Sequence, residues 1–218
     1  MYPVFTKINK IGLNKTGFLA LLLVLLLPAC SNMPGANKPL SKQEQASKNR
    51  IQREFQQALI LMQKNELPAA AEKFHDIIER YPQMAGAWAN LGRIHIKSRE
   101  WEKAREALQQ AITLNPKQAP AYNYLGVVER NLGQFKASEY AYKQALENDP
   151  GYAIAWLNLG ILYDIYMDKP ALALPQYEQY QKLTKNTDKK VYKWIVELKR
   201  RIPKQSRLIN IQGDRLNG

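Results

Sequence analysis

Hydrophobic residues follow two different patterns along this chain. Between Gly17 and Leu27 they form one unbroken run of eleven residues. From about residue 51 onward they are spaced three or four residues apart and separated by polar side chains, which is typical of helices that bury one face. The first pattern bears on where the protein resides, and the second pattern bears on its fold.

The spaced pattern repeats at a fixed interval. The segments 88–92, 122–126 and 156–160 align with one another, and each has an aromatic residue first, a leucine three positions later and then a glycine. Three prolines recur with the same spacing and close the repeating units: Pro82, Pro116 and Pro150. Positions three apart share one face of a helix. We therefore expect the aromatic residues Trp88, Tyr122 and Trp156 to fill the space between two helices.

Glycine recurs inside the first predicted helix of three units, at Gly92, Gly126 and Gly160. Glycine costs about 1 kcal/mol relative to alanine in a helix, so its recurrence needs a packing reason. Close approach of a second helix supplies that reason. Small residues open the second helix, with the last of them shifted by one position: Ala104, Ser138 and Ala173.

These features resemble the tetratricopeptide repeat, a helix–turn–helix unit of about 34 residues. The resemblance covers about residues 51–185 and implies an all-α solenoid of about four units. Their expected bounds are 51–84, 85–118, 119–152 and 153–186, and together they form a predicted solenoid over 51–186. The first unit is degenerate, because its first helix lacks the tryptophan and the glycine.

A solenoid needs a cap where its last unit ends. Thr187 and Asp188 offer a helix N-cap, and apolar residues follow at helical spacing: Val191, Trp194, Ile195 and Leu198. Pro203 then stops the helix. The sequence therefore predicts a capping helix over 187–202, followed by an unstructured basic tail over 203–218.

The unbroken apolar run is too short to span a membrane, because a spanning helix needs about 20 apolar residues. It has the size of the apolar region of a signal peptide, and three lysines without any acidic residue precede it: Lys7, Lys10 and Lys15. The segment Leu27-Pro28-Ala29-Cys30 resembles the lipobox of bacterial lipoproteins. That resemblance implies a signal peptide over 1–29 and a lipid on Cys30, while Ser31 implies sorting to the outer membrane. An ordinary cleaved signal and a retained anchor remain alternatives.

The formal net charge of +13 is concentrated outside the repeats. Residues 54–181 carry 13 basic and 15 acidic side chains, whereas 30–53 and 182–218 have net charges of +4 and +8. We therefore expect no nucleic-acid partner. Residues 30–50 are rich in Pro, Gly, Ser, Asn and Lys, which predicts a disordered tether. One interpretation of the basic ends is that they are solvated chain. The other is that they attract anionic lipid, cell-wall polymer or an acidic partner.

No arrangement of residues indicates catalysis or a metal site. His75 and His95 are the only histidines, and they are read as core or half-exposed side chains. Glu100 and Glu102 are read as solvated charges on a turn. Cys30 has no second cysteine with which to pair. We therefore expect no enzyme activity and no cofactor apart from the covalent lipid.

The tetratricopeptide resemblance implies a concave groove lined by the first helix of each unit. In repeat register its lining residues are Asn90, Arg93, Lys97, Asn123, Tyr124, Val127, Arg130, Asn131, Leu157, Asn158, Ile161 and Asp164. Amide side chains suit the backbone of an extended peptide, the cations favour an acidic segment, and the apolar members suit a peptide or helix. In the first unit, Phe55, Leu59 and Met62 are candidates for exposed apolar contacts or self-association.

These observations predict a lipid-anchored adaptor of the bacterial envelope, facing the periplasm from the outer membrane. The lipoprotein resemblance implies a protein partner in pilus assembly, outer-membrane protein assembly, cell-wall hydrolase recruitment or a proton-driven transport complex. The alternative is direct binding of lipid or cell wall through the basic C-terminal segment 182–218.

Overall fold

The structure, a computed structural model, describes residues 41–202. The predicted signal peptide, Cys30 and the predicted basic tail therefore lie outside the described residues. Within them the helices are α1 (Lys42–Gln63), α2 (Leu67–Arg80), α3 (Ala85–Lys97), α4 (Trp101–Leu114), α5 (Ala119–Asn131), α6 (Phe135–Asn148), α7 (Ala153–Ile161), α8 (Pro170–Leu183) and α9 (Lys189–Arg201). A π-helical turn, Leu162–Tyr166, continues α7.

Successive helices pack as pairs. The helices of each pair, α1 with α2, α3 with α4, α5 with α6 and α7 with α8, are in extensive contact, and each pair also contacts the next. Short turns join the two helices of a pair, so they run antiparallel. The predicted all-α solenoid is confirmed, with α9 packed against α8 at its end. None of the helices between residues 41 and 202 combines the length and apolar character needed to cross a bilayer.

The repeated glycines lie where the two helices of a pair are closest. Each faces a fully buried side chain of the second helix: Gly92 faces Leu108, Gly126 faces Tyr142 and Gly160 faces Tyr177. A Cβ atom at any of them would lie only 2.5 to 2.6 Å from the facing side chain. The glycines therefore make room for large, fully buried side chains of the second helices.

The repeated aromatic residues of the first helices pack against the core from its edge. Trp88, Tyr122 and Trp156 are half-buried against it, while side chains of the second helices fill the closest approach at the glycines. The indole Nε1 of Trp88 donates to the carbonyl of Pro82, and that of Trp156 donates to the carbonyl of Pro150, each at 2.9 Å. A tryptophan needs a partner for its N–H, and the loop between units provides one at the solvent boundary.

The fourth unit contains one more residue than the others, which explains the shifted position of Ala173. The second helices start at Trp101, Phe135 and Pro170, so the last interval is longer than the one before it by one position. The π turn accommodates the additional residue, because the Met167 N–H donates to the Leu162 carbonyl five residues earlier. After the turn, the second helix of the fourth unit therefore packs in the same register as in the other units.

The predicted tether is too long at its C-terminal end. Residues 42–50 are helical and exposed, and they extend α1 beyond the first repeat unit. Ser41 caps this helix, since the Glu44 N–H donates to Ser41 Oγ at 3.2 Å and the Ser41 N–H donates to Glu44 Oε2 at 2.8 Å. Hydrogen bonding from the Ser41 backbone N–H, and then from its side chain, lowers the pKa of the Glu44 carboxyl. The sequence carries the signal, because Ser-x-x-Glu is the pattern of a capping box.

The end of the solenoid is covered by α9. Asp188 accepts hydrogen bonds from the N–H groups of Lys190 and Val191, at 2.9 and 3.1 Å, and these bonds lower the pKa of its carboxyl. One face of α9 buries Val191, Ile195 and Leu198. Its apolar face therefore closes the core that α8 leaves open.

Candidate binding groove

The first helices α3, α5 and α7 lie side by side across successive units, and α1 borders a cleft with α3. Side chains join them directly: the Arg93 guanidinium lies 5.4 Å from the centre of the Tyr124 ring, and Asn158 Nδ2 donates to Asn123 Oδ1 at 2.9 Å. We call this side of the molecule the first-helix groove. These contacts join Arg93 to Tyr124 and Asn123 to Asn158 across successive units.

At the α1 end of the groove, predicted and unpredicted residues share one cleft. Its volume is about 410 Å³, and its lining residues are Leu59, Met62, Gln63, Arg93 and Lys97. Asn90 Oδ1 accepts a hydrogen bond from Arg93 at 2.8 Å. Arg93 is therefore held in place from both sides, by Asn90 and by Tyr124, whereas Lys97 is exposed and makes no ion pair with any residue of 41–202.

All four predicted asparagines of the groove already make hydrogen bonds within the protein: Asn90, Asn123, Asn131 and Asn158. Asn123 is only 2 % exposed, and its carbonyl oxygen is bound by Asn158. Asn123 is thus a structural link between α5 and α7, and the prediction that it lines an accessible surface is wrong. Asn131 is exposed, and its Nδ2 donates to the Val127 carbonyl at 2.7 Å.

The α7 end of the groove contains apolar side chains and one ion pair. Val127, Leu157 and Ile161 are half-buried against the core between units three and four. Asp164 Oδ1 lies 3.4 Å from Arg201 Nη1 of α9, so the acidic residue of the groove is neutralised by the capping helix.

The groove is cationic although the repeats as a whole are not. Its three cations are Arg93, Lys97 and Arg130, against the single acidic side chain of Asp164. Two other acidic side chains of the first helices point toward second helices, where Glu54 pairs with Arg80 and Glu129 pairs with Arg105. Residues 54–181 carry more acidic than basic side chains. The uneven distribution gives this side of the solenoid a positive charge.

Sequence reasoning did not find the polar pairs that join successive units. Arg105 of α4 binds Glu129 of α5 through two hydrogen bonds of 2.9 and 3.0 Å. The positions one repeat later make the equivalent contact, because Tyr163 donates to Glu139 Oε1 at 2.9 Å. The two pairs stand in the same register of the repeat, which is the sequence signal that could have revealed them.

The first unit offers a cleft rather than the predicted exposed apolar surface. Met62 is 5 % exposed and therefore buried, while Phe55 is half-buried with its ring 5.4 Å from that of Phe74. Phe55 also borders a separate, largely apolar cleft of about 380 Å³ between α1 and the start of α3, where Met84 and Gly86 form the opposite wall. Burial of Met62 follows from its position at the contact between the first two units.

The histidines and nearby carboxylates do not converge on a metal site. His95 Nδ1 lies 2.6 Å from Glu100 Oε2, so Glu100 is not the purely solvated charge of the sequence-based prediction. Hydrogen bonds from Lys103 and His95 lower the pKa of the Glu100 carboxyl. Between residues 41 and 202, no three His, Cys, Asp or Glu side chains lie close enough to hold a metal ion.

Comparison with known proteins identifies the repeats. Two models described as tetratricopeptide repeat match this chain, one at residues 55–119 and 90–153 and the other at 141–184. No curated protein sequence matches it.

Several solved structures share the fold. PilF of Pseudomonas aeruginosa has a TM-score of 0.64 and 21% identity, over 70% of this chain and 69% of its own. A crystal structure of MamA has a TM-score of 0.60 and 21% identity, over 71% of this chain and 88% of its own. A tetratricopeptide protein of Thermus thermophilus has a TM-score of 0.58 and 20% identity, over 68% of this chain and 80% of its own. At such identities the likeness concerns the fold.

Proposed function

We propose that this chain, which belongs to the tetratricopeptide repeat family, binds another protein in its first-helix groove and acts as a scaffold without catalysis. The observation that carries the proposal is the clustering of three cations and several half-buried apolar residues on one side of a solenoid that is otherwise slightly acidic. Such a surface suits an acidic, partly apolar segment of a partner protein.

Photo-crosslinking in cells tests whether the groove is the binding surface. A photoreactive amino acid at exposed groove positions Lys97 or Asn131 should give one discrete crosslinked product. The same residue at exposed second-helix positions Gln110 or Glu147 is the matched control and should give none. Lys97→Glu should weaken the interaction about tenfold, because it places a like charge against an acidic partner. Equal products from both sides of the solenoid would refute the groove assignment.

We further propose that the scaffold is a lipoprotein of the bacterial envelope, held at the outer membrane through Cys30. The support is the order of three features in residues 1–30: lysines come first, an apolar run follows, and a segment that resembles a lipobox ends it. Because α1 begins at Lys42, the tether expected from the sequence ends at Ser41 rather than at residue 50. The partner would belong to an envelope assembly of the kinds named above. Confinement to a surface would raise the effective concentration of that partner.

A second candidate function is supported by the exposed side of α9. Lys189, Lys190 and Lys193 are exposed there, beside a Tyr192 side chain that is 60% exposed. A basic helix with an exposed aromatic ring suits an anionic lipid or cell-wall surface. In that case the C-terminal segment, rather than the groove, would be the principal binding surface.

One fractionation experiment separates the two means of attachment. Cys30→Ser should move the protein from the membrane fraction to the soluble fraction, and labelled palmitate should no longer be incorporated. A single acyl chain binds weakly, whereas several hold a protein firmly, so the shift should be nearly complete. If Cys30→Ser stays with membranes and leaves them only at high salt, the basic segment is the anchor and the lipoprotein proposal fails.

A further inference from the structure

Arg130 differs from the other cations of the groove. Its Nε and Nη1 atoms are buried, and they donate no hydrogen bond to any residue of the described range 41–202. A guanidinium has five N–H donors and does not lose its charge at any ordinary pH. Buried donors without an acceptor are unfavourable, and a charged group makes the cost greater. Arg130 is therefore a charged donor for which residues 41–202 supply no hydrogen-bond acceptor at Nε or Nη1.

The nearest acidic residue of the groove does not supply that acceptor. Asp164 occupies the position of Arg130 in the next unit, but its carboxylate lies 3.4 Å from Arg201 of α9. No ion pair within 4.0 Å joins Arg130 to a carboxylate of the helices described here. The acceptor therefore comes from solvent or from a bound partner.

The π turn places an aromatic cover over the guanidinium. Tyr166 is the last residue of that turn, and its ring centre lies 5.2 Å from the Arg130 guanidinium carbon. The Phe135 ring supports it at 5.6 Å, yet Tyr166 is still 42% exposed, so it has room to rotate toward solvent. In the preceding unit the equivalent residue is Leu132, which already lies in the turn after α5. Single π turns are frequent at functional sites.

We propose that Arg130 is the position of the first-helix groove that receives a carboxylate of the partner, with Tyr166 of the π turn as its movable cover. The inference rests on the proposed function and specifies its partner as an acidic segment. The planar guanidinium binds a carboxylate through two parallel hydrogen bonds, which lysine cannot reproduce. Val127, one helical turn before Arg130, and Ile161 offer apolar contacts for residues that flank the acidic one.

Peptide binding to the full chain tests the proposal. The probe is a fluorescein-labelled twelve-residue peptide of alternating Asp and Leu, with a C-terminal amide, measured by fluorescence anisotropy at about 0.15 M salt, where long-range charge effects are screened. The matched peptide replaces every Asp by Asn. A third peptide carries the Asn sequence with a free C-terminal carboxylate, which separates side-chain carboxylates from a chain terminus. We expect the Asp peptide to bind at least about tenfold more tightly than the Asn peptide.

The variants distinguish a specific carboxylate site from general attraction. Arg130→Lys keeps the charge but loses the paired geometry, and it should weaken binding of the Asp peptide about tenfold. Lys73→Gln removes an exposed cation of the second helix α2, outside the groove, and should change binding by less than about threefold. Circular dichroism and thermal unfolding establish that each variant is folded. The side-chain Nε–Hε NMR signal of Arg130, assigned by its loss in Arg130→Lys, should shift with the Asp peptide only.

Three results would overturn the inference. The first is equal binding of the Asp and Asn peptides by the wild-type chain, including no binding of either. The second is unchanged binding by Arg130→Lys, and the third is an equal loss for Arg130→Lys and Lys73→Gln. Tighter binding of the free-carboxylate peptide than of the Asp peptide would mean that Arg130 receives the C-terminal carboxylate of a partner rather than an acidic side chain. If groove crosslinking succeeds while the peptide tests fail, the scaffold function stands and the carboxylate site alone is wrong.

Discussion

Replacing Arg105 by alanine should lower the free energy of unfolding by about 3 kcal/mol, because it leaves a buried carboxylate without its partner. The Glu129 side chain is 8% exposed, and Arg105 binds it through two hydrogen bonds of 2.9 and 3.0 Å. Arg105 is 31% exposed, which places the expected effect at the lower end of the range for buried pairs. Urea unfolding followed by circular dichroism measures the change.

Two further variants show whether the loss comes from the unpaired charge. Arg105→Met combined with Glu129→Leu should recover most of the stability, because an apolar pair of similar volume often replaces a buried ion pair at little cost. Arg50→Ala removes an exposed ion pair with Glu54, in which Arg50 is 68% exposed, and should change stability by less than about 0.5 kcal/mol. Equal effects of Arg50→Ala and Arg105→Ala would contradict the role given to the pair.

Gly126→Ala should destabilise the protein by about 1–2 kcal/mol despite the better helix propensity of alanine. The added Cβ would lie 2.5 Å from Cε1 of Tyr142, a ring that is fully buried. Overpacking of a well-filled core costs about 1–3 kcal/mol, and the gain from removing a glycine is about 1 kcal/mol at most. The balance is unfavourable, and the shift in urea midpoint measures it.

Gly86→Ala is the matched control for this change. Gly86 is the second residue of the first helix α3, and a Cβ there would meet Phe55 at 3.5 Å, an ordinary contact distance. The variant should be neutral or more stable by up to about 1 kcal/mol. If Gly126→Ala were as stable as Gly86→Ala, close helix approach would not explain the repeated glycines.

Much of this architecture is predictable because one pattern of fixed length recurs three times. The glycines, the prolines and the capping helix give consistent local signals, and the solenoid packing follows from stacking units that cannot bury their apolar faces alone. The start of α1 is also readable from Ser41 and Glu44. The polar composition of the same residues favours a tether, but the capping pattern is the stronger signal because it specifies hydrogen bonds of the backbone.

The state of individual groove residues is not predictable from their register. Asn123 and Asn131 both belong to the predicted lining. Asn123 is buried and hydrogen-bonded to Asn158 of the next unit, whereas Asn131 is exposed. Register gives the face of a helix on which a residue lies. It does not say how close the neighbouring helix comes, and that distance decides which amide groups remain free.

The sequence by itself determined the class of fold, the repeat length, the places that require glycine and the cationic character of one face. Only the tertiary structure decided that Arg105 pairs with Glu129, that Asp164 is neutralised by Arg201, and that the π turn brings Tyr166 over Arg130. Local signals depend on residues that are neighbours along one helix, so they can be read directly from the sequence. Contacts between units depend on helix separation and on one additional residue in a turn, which place side chains against each other across 24 to 37 positions of chain.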